Sequence, residues 1–303
     1  MKIINNISDL QLNNTAISIG KFDGIHKGHR LLIDELLKLK DKGLLATIFT
    51  FSKAPNEIIK HSHEKVILTK NERYRFYESI GIDVLVEYPT SDELIHMDRE
   101  AFLKNILIDE MGMKAIVCGK DFEFGFNRLG NIEFIKKMSG TYGYVPVILE
   151  KLKDNNSDIS STRIRKLIED GNILEVNRLL GYSYSIIGQV VHGNEIGRTI
   201  NFPTANIIPD DDKLLPPNGV YFTKVKIGDI TYKGITNIGK KPTVTRSELI
   251  GVETNVLDYS GDLYDQILNI EFLHYHRKEM KFDSIEDLKN QITYDEQCCR
   301  KFI

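Results

Sequence analysis

Between residues 16 and 149 the chain alternates two hydrophobic periods. Short β-branched runs at 16–19, 44–51, 84–86, 115–117 and 145–149 are separated by segments with apolar residues at helical spacing. Leu32, Ile33, Leu36 and Leu37 form one such set, and Phe102, Leu103, Ile106 and Leu107 another. This alternation predicts a parallel sheet covered on both faces, a Rossmann-like α/β domain. A helical stretch over 162–180 closes it. From Gly181 onward the pattern becomes one of strands, expected at 185–192, 220–227, 230–238, 251–257 and 266–274. Gly-Asn, Pro-Pro-Asn-Gly, Gly-Asp and Ser-Gly-Asp turns join them, which predicts a small antiparallel barrel or sandwich. A last helix over 284–302, capped by Ser284 with Ile285, Leu288 and Ile292 on one face, is expected to lie across it.

Two domains, 1–181 and 182–303, fit a length of 303 residues. The balance of 41% apolar and 27% charged residues is that of a soluble globular protein. A net charge of -3 argues against attraction of the whole chain to nucleic acid while leaving room for local phosphate sites. Cys118, Cys298 and Cys299 form neither a disulfide framework nor a zinc-ligand spacing. No apolar run approaches the roughly 20 residues of a membrane span or the pattern of a signal peptide. The expectation is a cytoplasmic protein with small-molecule partners, no nucleic acid and no membrane, and with weak self-association left open.

Three segments carry candidate chemistry. After the first predicted strand comes Gly20-Lys21-Phe22-Asp23-Gly24-Ile25-His26-Lys27-Gly28-His29. Gly20, Gly24 and Gly28 allow tight turns and close approach to a ligand, and the two histidines meet at the positive end of a helix, where imidazoles can donate to phosphate oxygens. At the close of the same domain, Ser160-Ser161-Thr162-Arg163-Ile164-Arg165 opens a helix whose amides, Thr162 and an arginine can meet nucleotide phosphates. Arg163 and Arg165 are two positions apart and point in different directions, so both should not hold phosphate. Between these, Gly119-Lys120-Asp121-Phe122-Glu123-Phe124-Gly125 places aromatic faces beside an acid, where a flat ring system could stack.

In the second domain a glycine-rich segment with Gly193, Gly197 and Arg198 runs into Pro203-Thr204-Ala205-Asn206. Backbone amides there can hold phosphate, and a hydroxyl with an amide oxygen can coordinate Mg²⁺. Asn237-Ile238-Gly239, Glu253-Thr254-Asn255 and Arg277-Lys278-Glu279 follow in order.

His26-Lys27-Gly28-His29 resembles the signature of the nucleotidyltransferase superfamily. With the other segments, nearly the whole chain resembles the bifunctional bacterial riboflavin kinase/FAD synthetases. The resemblance implies that FMN is adenylylated to FAD with ATP in the first domain and riboflavin is phosphorylated to FMN in the second. It implies His26 and His29 as catalytic groups, with Gly20, Phe22, Asp23, Gly24, Gly28, Ser161, Thr162 and Arg165 on ATP. Asp121, Phe122 and Phe124 would then meet flavin. In the barrel it implies Gly193, Gly197 and Arg198 on ATP, Thr204 and Asn206 on Mg²⁺, Asn237 and Arg277 on flavin, and Glu253 as the base for the riboflavin 5′-hydroxyl. There are two departures: Ser52-Lys53-Ala54-Pro55 stands where the family usually has Asp-Pro-His-Pro, and Asn201 replaces a usual glycine. An enzyme with one active half, a flavin-binding regulator and a transferase for another acceptor are the rival readings.

Overall fold

The structure, a computed structural model, describes residues 1–53, 64–193, 202–241 and 249–303. The chain forms two compact units, Met1–Glu64 with Lys70–Ser160 and Lys65–Thr69 with Ser161–Ile303.

In the first unit six parallel strands stand in the order β1-β4-β3-β2-β5-β6. They are β1 (Lys2–Ile4), β2 (Thr15–Ile19), β3 (Leu45–Phe51), β4 (Val84–Tyr88), β5 (Met113–Gly119) and β6 (Val145–Leu149). The longer helices are α1 (Lys27–Lys40), α2 (Lys70–Ser79), a π-helical segment Phe102–Glu110, and α3 (Ile132–Tyr142). Phe102, Leu103, Ile106 and Leu107 are buried together against the sheet, as their spacing predicts. From β2 the chain moves outward to β3 and β4, then returns to place β5 on the other side of β2. The sheet therefore reverses direction between β2 and β5, and at such a point loops leaving the carboxyl ends of the strands part to form a crevice. The histidine-bearing segment follows β2, and the phenylalanine-rich segment follows β5. A two-strand hairpin, β7 (Lys153–Asp154) and β8 (Ser157–Asp158), comes after β6.

The second unit begins with α4 (Ser161–Glu169) and α5 (Ile173–Leu180). The single helical stretch expected here is broken because Gly171 takes a left-handed φ of 73°, and the Asn172 side chain then caps α5 by accepting from the Glu175 amide. A closed antiparallel barrel follows, of β9 (Ser185–Val191), β10 (Thr204–Ile207), β11 (Gly219–Ile227), β12 (Ile230–Lys241), β13 (Leu249–Val256) and β14 (Ile267–Arg277). Closure decides between barrel and sandwich. Inside, the hydroxyls of Thr223, Thr236 and Thr254 form a chain with 2.8 Å steps, satisfying polar groups that are fully buried. Asn177 of α5 joins the barrel by donating to the Phe272 carbonyl (2.8 Å) and accepting from the Tyr184 amide (2.7 Å).

The strap Lys65–Thr69 also belongs to this unit. The Leu214 amide donates to the Val66 carbonyl (2.8 Å), and the buried Lys213 ammonium donates to the Ile67 carbonyl (2.8 Å) while lying 4.7 Å from the Tyr184 ring centre. Helix α6 (Ile285–Phe302) starts where Ser284 accepts from the Asp287 amide at 3.1 Å. It packs Cys299 against Val220, Phe222, Ile235 and Leu257 on the outside of the barrel. Ile285, placed by its spacing on the packed face, is 68% exposed, because the helix contact begins only further along the chain, and Asp295 and Cys299 are the buried residues.

Candidate functional site

The loop from β2 to α1 is held in an unusual backbone. Phe22 has φ 47° and Ile25 φ 35°, left-handed values that cost on the order of 1–3 kcal/mol each for residues other than glycine. Gly24 (φ 80°) completes the turn. The Gly20 amide donates to the Phe49 carbonyl (3.0 Å) and that of Ile25 to the Phe22 carbonyl (3.2 Å). Asp23 is buried within it. The loop delivers His26 as N-cap of α1, where its Nδ1 accepts the His29 amide at 3.3 Å. Nδ1 is thus unprotonated, and the proton of the neutral ring lies on Nε2. The His26 and His29 rings stack with centroids 3.7 Å apart, and the Phe22 ring meets His29 edge-on at 5.1 Å. A Cβ on Gly28 would lie 3.2 Å from the His26 ring atoms Cε1 and Nδ1, so the missing side chain makes room for the stack.

Burial lowers the His26 pKa to about 4, although nearby Asp23 pulls the other way. His29 is lowered well below its ordinary value by burial and by His26. Both rings are therefore neutral near pH 7. His29 Nδ1 is buried without a hydrogen-bond partner among the described residues. Two neutral imidazoles at a helix start can donate hydrogen bonds to phosphate oxygens without repelling each other.

After β5, Asp121 pairs with Lys151 at 2.9 Å, and Lys151 also reaches Asp158 on β8 at 3.3 Å. These residues, with Lys120, Glu150 and Lys153, line a polar cavity of about 320 Å³. Phe122 is partly buried and stacks on Phe124 at 5.5 Å, while Phe124 sits in the core between Phe102 and Phe134. Ser52 and Lys53, at the family departure after β3, are tied to Thr90; Ala54 and Pro55 lie outside the described residues.

Ser161, Thr162 and Arg165 occupy the opening of α4 in the second unit. Arg163 is tied to Glu175 of α5 at 3.3 Å.

In the barrel, strand register gathers candidates that are far apart in sequence. Asn206 of β10 stands opposite Glu253 of β13, which stands opposite Asn237 of β12, and Thr204 stands opposite Asn255. Cross-strand partners share a face, so Asn206, Glu253 and Asn237 form one row, on the side opposite the buried Thr254 and Thr236. Thr204–Asn206 is not among the strands expected from sequence; it belongs to β10, which fixes the row. A Cβ on Gly193 would lie 2.5 Å from Asn206 Nδ2, so this glycine leaves the space that the amide fills. Asn206 Nδ2 points to the Thr204 carbonyl (3.4 Å), turning Oδ1 away from it. Thr204 also borders a cavity of about 270 Å³ lined by Val190, Pro203, Val256, Leu263 and Tyr264 among others.

Arg277 points its guanidinium to the buried Asp295 of α6, with Nη2 at 2.7 Å, and its Nη1 donates to the Lys278 carbonyl (3.0 Å). Glu279 was not singled out for a role from sequence, yet its carboxylate accepts from both Asn218 (3.3 Å) and Asn237 (3.2 Å). Its place in the Arg277-Lys278-Glu279 run was the available signal. Gly197, Arg198 and Asn201 lie outside the described residues.

A family model described as FAD synthetase matches residues 8–163, and one described as riboflavin kinase matches residues 180–303. A parallel α/β unit of the first kind joined to a closed barrel of the second defines a two-activity enzyme of flavin cofactor biosynthesis. Curated relatives agree over the full length. A bifunctional riboflavin kinase/FMN adenylyltransferase of Buchnera aphidicola (Acyrthosiphon pisum, strain APS) is 38% identical, covering 100% of this chain and 98% of its own. That of Escherichia coli K12 is 32% identical over 99% and 96%. The chain belongs to the bifunctional riboflavin kinase/FMN adenylyltransferase family. Its substrates are accordingly riboflavin, FMN and ATP, and enzymes of this kind need a divalent metal ion. A Streptococcus pneumoniae crystal structure described as a macrolide-efflux protein shares the fold, with TM-score 0.88 and 32% identity over 98% of both chains. That description concerns the other protein; no described helix here is long and apolar enough to cross a membrane.

Proposed function

We propose that the two activities use two separate residue clusters, one built around His26 and His29 and one in the barrel. The observation that carries this reading is the grouping itself, with stacked His26 and His29 at the start of α1 and the row Asn206, Glu253, Asn237 across the barrel. In the first unit a phosphate oxygen of FMN attacks the α-phosphorus of ATP, and the bond to the bridging oxygen breaks to release pyrophosphate. His26 and His29 donate hydrogen bonds to the oxygens that gain charge, while Gly20, Phe22, Asp23, Gly24 and Gly28 shape the nucleotide loop. Asp121 and Phe122 orient the flavin, with Phe124 backing Phe122. The assignment of Ser161, Thr162 and Arg165 to ATP rests on their motif.

In the barrel Glu253 accepts the proton of the riboflavin 5′-hydroxyl as its oxygen attacks the γ-phosphorus and ADP leaves. Thr204 and Asn206 offer a hydroxyl and an amide oxygen, hard donors that suit Mg²⁺, which when bound neutralises charge on the β- and γ-phosphates. The cavity beside Thr204, lined by both apolar residues such as Val190 and Leu263 and polar ones such as Ser260 and Asp262, takes the adenine. Asn237 meets the flavin, Arg277 holds the Lys278 backbone next to it, and Gly193, Gly197 and Arg198 complete the phosphate loop on their motif. The protein works in the cytoplasm.

Two variants test the assignment together. His29→Ala should abolish FMN-to-FAD conversion and spare riboflavin phosphorylation. Glu253→Gln should lower kinase turnover by roughly 100-fold and spare FAD formation. Parallel loss of both activities in either folded variant would overturn the two-cluster reading.

A further inference from the structure

The histidine loop holds two left-handed residues, and side chains from elsewhere in the unit brace it. Arg73 of α2 donates from Nη1 to the Lys21 carbonyl at 3.2 Å. That carbonyl belongs to the peptide joining Lys21 to Phe22, the peptide whose rotation about the Phe22 N–Cα bond is the φ of 47°. Pinning the carbonyl therefore pins the unusual dihedral. Phe22 in turn sets its ring edge against His29. Arg73 also faces Glu87 at the carboxyl end of β4, a buried carboxylate with Lys70 Nζ at 2.7 Å and Arg73 Nη2 at 4.0 Å, an ionic contact beyond hydrogen-bond reach. With two cations around one buried carboxylate, the guanidinium has a fixed place from which to reach the loop.

We infer that Arg73, oriented by Glu87, is a positioning residue for adenylyl transfer: it fixes the Lys21–Phe22 peptide and through Phe22 the placement of His29. The inference rests on the reading of His26 and His29 as the adenylyl-transfer pair. Arg73 acts through the loop and need not touch substrate. Its loss should therefore lower turnover more than it weakens binding, since a small misplacement of a group that acts in the transition state is costly.

Arg73→Met, Arg73→Lys and His29→Ala would be assayed for FMN-to-FAD and riboflavin-to-FMN turnover, with thermal midpoints. Arg73→Met should lower kcat for FAD formation by about 10- to 100-fold while KM for FMN and ATP moves less than about threefold. Arg73→Lys, which keeps charge and a donor, should recover part of the loss, and kinase turnover should stay at the native level in both. Native FAD turnover in Arg73→Met overturns the inference, as does a matched fall of both activities. Should Arg73→Met fail to fold, Arg73→Lys decides, because an intermediate kcat at unchanged KM supports the inference and native kcat rejects it. Retained FAD formation in His29→Ala would instead refute the underlying site assignment, separating the two failures.

Discussion

Gly28→Ala separates stability from chemistry in the first unit. The added methyl would stand 3.2 Å from Cε1 and Nδ1 of His26 and 3.6 Å from the Ile159 carbonyl oxygen. Ordinary carbon contacts begin near 3.5 Å, so the imidazole must shift by about 0.3 Å or turn. The His29 amide is already 3.3 Å from His26 Nδ1, long for such a bond, and a shift of that size ends it. Losing the cap costs about 1 kcal/mol, and replacing glycine by alanine in a helix returns about 0.5–1 kcal/mol. The two nearly cancel. The thermal midpoint should therefore move by no more than a few degrees. Catalysis has no such compensation, because the His26–His29 stack is displaced, and FAD formation should fall by about 10- to 100-fold. The assay is product chromatography from FMN and ATP, with riboflavin phosphorylation as internal control and a melting curve on the same sample. Full FAD-forming activity in a stably folded Gly28→Ala protein would show that the His26 position does not matter to the reaction.

Acidification should destabilise the protein through the same pair. His26 titrates near pH 6.5 unfolded and near 4 folded, so between these values the unfolded chain binds the extra proton and stability falls as pH falls. His26 alone accounts for roughly 3 kcal/mol across that window, and His29 acts in the same direction. Urea midpoints at pH 7 and pH 5 should show the drop, and His26→Asn, which preserves a capping side chain, should reduce it; an unchanged drop would clear His26. Fragments should behave unequally. Residues 182–303 alone lose the buried Val176, Leu179 and Leu180 of α5, about 1.5–3 kcal/mol each, and both Asn177 hydrogen bonds, which together rival the 5–15 kcal/mol stability of a whole domain. Both fragments lack the Lys65–Thr69 strap and its bond to the buried Lys213, but residues 161–303 keep the α5 contacts and should melt at a higher temperature and retain more riboflavin kinase activity than the shorter fragment; equal melting of the two would refute this.

Much of the fold was legible because the apolar runs are long enough to declare a period. The strands at 45–51 and 145–149, and the buried Phe102–Leu107 set, needed no tertiary information. β1 was not legible, being three residues long with Lys2 and Ile3 exposed. β10 was hidden because it is only four residues long with strand-poor Ala205 and Asn206 at its centre; its partners β9 and β13 place it in the barrel. In the site, His26 and His29 could be foreseen as neighbours from their spacing on one helix. Arg73 could not, since its partner Lys21 is 52 positions away and nothing local distinguishes it from a solvated arginine. The Asn206–Glu253–Asn237 row likewise exists only once the strands are in register.

The strap at Lys65–Thr69 gives the second unit a history as well as a shape. Ile67 leaves the ribosome 146 positions ahead of Lys213, whose ammonium binds its carbonyl. At synthesis rates of about 5–20 residues per second the strap waits roughly 7–30 s for that partner. Throughout this interval Ile67 and Leu68, both buried in the finished protein, are apolar side chains without their destination, while the segment on either side of them can already build the parallel sheet. Translation speed through residues 70–212 thus sets how long this short sequence is open to chaperones or to other nascent chains, and a second unit made from a separate, later message would have to capture it from outside.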